Sequence, residues 1–192
     1  MNKGRMEAFS DGVLAIIITV MVLELKLPHG SQWSDLGSLY PVFLSYILSF
    51  VYIGIYWNNH HHMLYLVAHI NGKVLWANMH LLFWLSLVPF TTGWMGENHF
   101  STLPVALYGT VLLMAGVAYY ILEQILVRIH GKESTMATAL GKDFKGMLSV
   151  VIYLIAVPVA FYNPRISMIL YGCVAAMWFI PDRRIEKGIR KK

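Results

Sequence analysis

Charge is scarce in this sequence. Only 13% of its 192 residues are Asp, Glu, Lys or Arg, while 57% are hydrophobic; an average soluble domain carries roughly 25% charged residues. That leaves too little polar surface to cover a water-soluble globule. Cysteine is nearly absent as well. Cys173 stands alone inside an apolar run, so it forms no intrachain disulfide and reads as a packing residue. Also missing are a G-x-S-x-G elbow, a phosphate-binding glycine loop and a carboxylate pair set for acid–base chemistry, so an enzyme fits poorly and no cofactor is expected. The sequence shows no internal repeat, no low-complexity stretch and no soluble domain between its hydrophobic runs.

What remains is a series of apolar segments. A bilayer core about 30 Å thick needs about 20 apolar residues per helix, and six segments qualify: 6–25, 37–57, 74–95, 103–127, 147–162 and 166–180. The first is not a signal peptide, because Glu7, Asp11, Glu24 and Lys26 interrupt or flank it and no small-x-small cleavage site follows Leu25. The last two are joined by Asn163, Pro164 and Arg165, a polar turn that makes them antiparallel. Pro89 and Pro158 fall within spans, where neighbouring helices can satisfy the freed carbonyls. They predict kinks rather than breaks.

The net charge of +5 does not mark a nucleic-acid surface, because the basic residues sit between and after the apolar runs. Thirteen of the 15 Lys and Arg residues fall in the N-terminus, the 58–73 and 128–145 loops or the C-terminal tail; Lys26 and Arg165 fall on the other side. By the positive-inside rule both termini are cytoplasmic, which an even number of spans satisfies. The organisation expected is an all-α integral membrane domain over 1–182 with six transmembrane helices, followed by a basic cytoplasmic tail over 183–192.

Ionisable residues within spans are expensive and call for partners. Topology puts Glu7, Asp11, His60, His61, His62, Asn78 and His80 at one depth, near the cytoplasmic leaflet. At about 100° per residue, Asp11 points about 140° away from Ile16, so Asp11 and Ser10 are expected to face the second and third helices. There they would meet His60 or His61, Asn78 and the indole of Trp57 or Trp76. Such a layer serves either as a structural clasp or as a titrating site. The three consecutive histidines do not make a metal site, because helical neighbours diverge and no HxxH or HxxxH spacing accompanies them.

The first helix also carries one continuous stripe. Phe9, Gly12, Ile16, Val20 and Leu23 lie within about 40° of Ile16 at the helical period; such a stripe is ordinarily a core or lipid face. Gly12, Ala15 and Thr19 form a small-residue face beside it. There is neither a TVGYG carbonyl filter nor an Arg ladder for voltage sensing.

Arg5, Phe9, Ser10 and Asp11 form R-x-x-x-F-S-D, continued as Gly12 to Ile16. Trp57-Asn58-Asn59-His60-His61, Trp76-Ala77-Asn78 and Leu87-Val88-Pro89-Phe90-Thr91-Thr92 follow in order. The set resembles the bacterial branch of the transmembrane protein 175 potassium channels. That resemblance implies a homotetramer in the bacterial inner membrane whose first helices surround a central pore for potassium ions. It puts a hydrophobic constriction at Ile16, with Val20 and Leu23 further out and Thr19 supporting the neck by bonds between helices. It also implies that Arg5, Ser10 and Asp11 tie the first helix to the His and Asn residues of the second and third. His62 departs from the pattern, which commonly has Arg there. The residues themselves leave room for a proton-coupled or metal-ion transporter using Asp11 and the histidines as a relay, and for a noncatalytic scaffold. Glu24, Asp35, Glu97 and His99 read as solvated loop charges on the far side.

Overall fold

The computed structural model describes residues 2–28, 30–131, 134 and 144–179, and every element among them is helical. In chain order these are α1 (Lys3–Leu23), α2 (Trp33–Gly37), α3 (Tyr40–Tyr65), α4 (Gly72–Ser86), α5 (Val88–Glu97), α6 (Thr102–His130), α7 (Phe144–Ala160) and α8 (Pro164–Phe179). The basic tail 183–192, Lys132, Lys142 and the end of the last expected span lie outside the described residues.

The helix boundaries follow local chemistry. The side chain of Asn2 accepts from the Gly4 amide at 3.0 Å, and that of Asn71 accepts from the Val74 amide at 3.1 Å, each satisfying an orphan donor of a first turn. Pro41 and Pro104 sit in the first turns of α3 and α6, and Pro164 opens α8, where no intrahelical donor is needed. Gly131, with φ of 87°, ends α6.

Four segments are long and apolar enough to cross a membrane: α1, α3, α4 with α5, and α6. The apolar helices α7 and α8 are shorter, at 17 and 16 residues, and each borders undescribed sequence. Two boundaries correct the sequence reading. The second helix does not stop at Trp57 but continues to Tyr65, because polarity at Asn58 marks a change of surroundings and not a loss of helical propensity. The third expected span is interrupted at Leu87. Pro89 has no amide hydrogen for the Leu85 carbonyl, and just before it the Leu87 amide closes a tighter turn on the Trp84 carbonyl at 3.2 Å. Pro158, by contrast, remains inside a continuous α7.

Two hydrophobic cores share α3 and α6. Leu14, Ile17, Ile53, Leu81, Leu85, Ala115 and Leu122 belong to the first, which gathers α1, α3, α4 and half of α6. The second joins the other half of α6 to α3, α7 and α8 through Tyr108, Leu112, Tyr153, Ala156 and Tyr171. Hydroxyl groups stitch this second core. Ser49 bonds Thr92 at 2.6 Å and Tyr108 at 3.1 Å, and Tyr52 donates to the Tyr171 carbonyl at 2.6 Å. In lipid, helix association relies on such bonds and on close packing by small residues, each bond contributing about 0.6–2 kcal/mol.

Gly96 is the clearest close approach. A Cβ there would lie 2.7 Å from the Val42 Cα, so α3 and α5 touch backbone to backbone. A Cβ at Gly54, in the middle of α3, would meet nothing within 4 Å. Gly96→Ala is therefore expected to lower thermal stability in detergent, by about 1–3 kcal/mol for overpacking, whereas Gly54→Ala leaves it unchanged or raises it by up to about 1 kcal/mol through helix propensity. Melting temperatures followed by tryptophan fluorescence check both signs.

Candidate functional site

The first helix is packed on one side and uncovered on the other. Met6, Ser10, Leu14, Ile17 and Met21, spaced by three or four residues, are its buried face. On the uncovered side Phe9 is 52% exposed, Ile16 62%, Val20 36% and Leu23 81%. Asp11, Gly12, Thr19 and Glu24 are exposed too. The Thr19 hydroxyl donates to the Ile16 carbonyl of its own helix at 2.8 Å; within one chain it makes no bond to another helix among the described residues.

Beside this stripe, α1 and α5 enclose a groove of about 730 Å³. Val13, Ile16, Val20, Phe90 and Trp94 line it, with Glu24 and Glu97 at one end. Lys26 and Glu97 form an ion pair at 2.5 Å. Hydrogen bonding and charge from Glu97 hold the Lys26 ammonium above its ordinary pKa. The pair joins the chain after α1 to the end of α5. Asp35, in contrast, caps α2 by accepting from the Gln32 amide at 2.9 Å.

At the other end of α1 lies a directional chain of hydrogen bonds. The Asn78 amide nitrogen donates to Ser10 Oγ at 2.9 Å, and Ser10 donates onward to the Met6 carbonyl at 2.8 Å. The Asn78 carbonyl oxygen is therefore free to accept from His60 Nε2, 2.8 Å away. Ser10, His60 and Asn78 are all buried, so α1, α3 and α4 meet at one satisfied polar point. Asp11 does not enter it. Its carboxylate accepts instead from the Trp57 indole at 3.1 Å, and His61 stacks on Trp57 with ring centroids 6.0 Å apart.

Other expected members stand apart. Arg5 and Phe9 are exposed and bond no side chain of this layer among the described residues. Trp76 is 79% exposed, and His80 accepts from Trp84 within α4 at 2.9 Å. No three His, Cys, Asp or Glu side chains among the described residues gather as metal ligands. Two contributors escaped the sequence reading. The Lys3 ammonium donates to the Leu64 and Val67 carbonyls at 2.9 and 3.2 Å, capping the end of α3. His130 Nε2 accepts from the Ala68 amide at 3.1 Å, while its Nδ1 lies 2.9 Å from the Leu126 carbonyl. Nothing in sequence spacing connects residue 3 to 64 or 130 to 68.

Replacing Asn78 with Leu removes both bonds and strands the His60 donor in a buried site. Asn78→Leu is expected to cost about 1–3 kcal/mol, read as an earlier midpoint in detergent unfolding. Ser10→Ala, which leaves the His60 contact in place, costs less.

The geometry has a close match among known proteins. The family described as the endosomal/lysosomal potassium channel TMEM175 matches residues 5–89. A chain from Chryseobacterium sp. (strain P1-3), named a potassium channel, is 52% identical over 191 residues, covering 100% of both chains. One from Streptomyces collinus, also named a potassium channel, is 30% identical over 185 residues, covering 91% of this chain and 90% of its own. The crystal structure of a lysosomal potassium-selective channel TMEM175 homolog from Chamaesiphon minutus superimposes with a TM-score of 0.80 at 28% identity, covering 94% of this chain and 97% of that one. With its several apolar helices, this is a multi-pass membrane protein, and it belongs to the TMEM175 family.

Proposed function

We propose that the chain is one subunit of a homotetrameric channel in the bacterial inner membrane, potassium-selective or weakly selective among cations, with α1 from each subunit around a central pore. The observation that carries this reading is the uncovered side of α1. It bears the Phe9, Ile16, Val20 and Leu23 stripe, with Gly12, Ala15 and Thr19 exposed beside it. Small residues let helix backbones approach closely in a membrane, which supports a second protein chain packed along this side. The stripe from Phe9 to Leu23 extends about 21 Å at 1.5 Å per residue, enough to line most of a bilayer core. The named functions of the full-length bacterial relatives supply the ion.

In this reading the chain has six spans and cytoplasmic termini, with residues 1–182 as the channel domain and 183–192 as a basic tail. Ile16 is the narrowest ring, Val20 and Leu23 follow it outward, and Thr19 supports the neck. An apolar ring gates by dewetting, and ions cross it with partial loss of hydration. The sequence carries no TVGYG filter from which to build a cage of backbone carbonyls, so discrimination between potassium and sodium is weaker than such a cage gives. The layer of Ser10, Asp11, Trp57, His60, His61 and Asn78 fixes the inner end of each pore helix, with Arg5 and Phe9 exposed beside it. The bonds from Asn78 to Ser10 and from Trp57 to Asp11 support that role. The groove beside Ile16 offers a seat for the neighbouring subunit's first helix.

Purified protein in liposomes is expected to pass potassium faster than sodium without a proton gradient. Ile16→Asn wets the neck and raises flux or erodes the preference; unchanged flux would remove Ile16 from the constriction. Asp11→Ala is expected to reduce flux and the fraction of tetramer on size exclusion with light scattering. Normal tetramers with normal flux would show that the Trp57–Asp11 bond is dispensable.

A further inference from the structure

A second cavity, of about 380 Å³, lies away from the α1 face, between α3, α6 and α7. Its size is within the range of small-ligand sites, roughly 300–1,000 Å³. Its floor is the contact between Tyr153 and Tyr52, hydroxyl to hydroxyl at 3.1 Å. From there the lining climbs α3 through Tyr56 to Asn59 and, on the other wall, climbs α7 backward through Val150 to Met147. Seven residues of helix span about 10 Å, so the cavity is elongated along the helix axes and closed at its deep end.

Most polar atoms on its walls are already satisfied; the Tyr56 hydroxyl, 3.8 Å from where a Gly116 Cβ would sit, also faces the space. Tyr52 donates to the Tyr171 carbonyl, Tyr153 bonds Tyr52, and Tyr119 donates to the Asn59 carbonyl at 3.2 Å. Ser149 accepts from the Trp178 indole at 2.8 Å. Apart from that hydroxyl, what faces the space is mostly ring and aliphatic surface. A water inside would lack the two to four polar partners it needs, while an empty void forfeits dispersion contacts along its whole lining. The mouth opens to the side past Tyr120, Met147 and Val151, which are 46%, 66% and 51% exposed. At the rim Lys145 reaches the Met177 carbonyl at 3.4 Å and lies 5.8 Å over the Trp178 ring.

We infer that this cavity holds one acyl chain of an anionic membrane phospholipid, inserted tail-first toward Tyr52 and Tyr153 with its phosphate beside Lys145. The shape accounts for the tail: a narrow, dry slot parallel to the helices, closed near mid-membrane and open sideways at bilayer depth. The rim accounts for the headgroup, since an ammonium over an indole is suited to the interfacial layer where phosphates lie. Assigning the lipid to the cytoplasmic leaflet rests on the topology proposed above; occupancy of the slot does not.

A phosphatidylglycerol with a diazirine near the end of one acyl chain tests this in liposomes of the full chain, with the label mapped by peptide mass spectrometry. The expected result is label on 116–120 and 146–153 above that on the exposed face of α8 around Ile169. Gly116→Phe grows into the slot, because a Cβ there meets only the Tyr56 hydroxyl at 3.8 Å. It should reduce that label at least about fivefold, the equivalent of about 1 kcal/mol, while label near Ile169 is unchanged. If Gly116→Phe does not assemble, Met147→Trp blocks the mouth to the same end. Label no higher in the slot than on α8, or equal in variant and parent, overturns the inference. Replacing phosphatidylglycerol by an equally labelled phosphatidylcholine without loss overturns the headgroup assignment. Potassium flux in the same liposomes reads out the channel separately: a labelled slot without flux supports the lipid site and overturns the channel.

Discussion

Asn78 is a small side chain on which three helices depend. Its two ends are chemically different, and the fold uses both: the nitrogen reaches Ser10 on α1, the oxygen reaches His60 on α3. Were α1 to slide by one residue, Ser10 would turn about 100° away and the amide would lose a partner in a place where water cannot replace it. The bond thus sets the register of α1, and with it the direction in which Ile16 and Leu23 point. Lys3 reinforces the same arrangement from the helix end by holding the last carbonyls of α3.

Elsewhere the bundle relies on closeness more than on polarity. Lipid tails are as apolar as leucine, so burial alone does not bring helices together. Gly96 against Val42, and Gly109 beneath the Tyr171 ring, allow helix contacts that any Cβ would obstruct. The hydroxyls of Ser49, Tyr52, Tyr108 and Tyr153 then add direction to contacts that van der Waals packing leaves indifferent. The slot between α3 and α7 is where this packing stops, above the last such hydroxyl pair.

Much of this was legible in the sequence because membrane helices announce themselves by length and apolarity. The angular separation of Asp11 from Ile16 follows from helical period alone, and Ile16 and Trp57 do lie on either side of α1 from the buried Leu14 stripe. The choice between Asp11 partners was not legible. Trp57, Trp76, His60 and His61 are all within plausible reach in sequence terms, and only the packing of the helices brings the Trp57 indole to Asp11 and leaves Trp76 largely exposed. The ends of helices were misread for a related reason. Composition reports where the solvent changes, whereas the backbone of α3 ends only where Lys3 meets its carbonyls. The short α2 and the cap from Asp35 lie in a segment whose polarity gave no period to follow.

The interruption at Leu87 divides labour within a single span. On the two sides of the proline-bearing turn the neighbours differ: α4 beds against α6, α5 against α3 as well as α6, and both remain within reach of α1. The third span is less a wall than a splice: both of its halves reach the first helix, and the half beyond Leu87 brings α3 in as a second support beside α6.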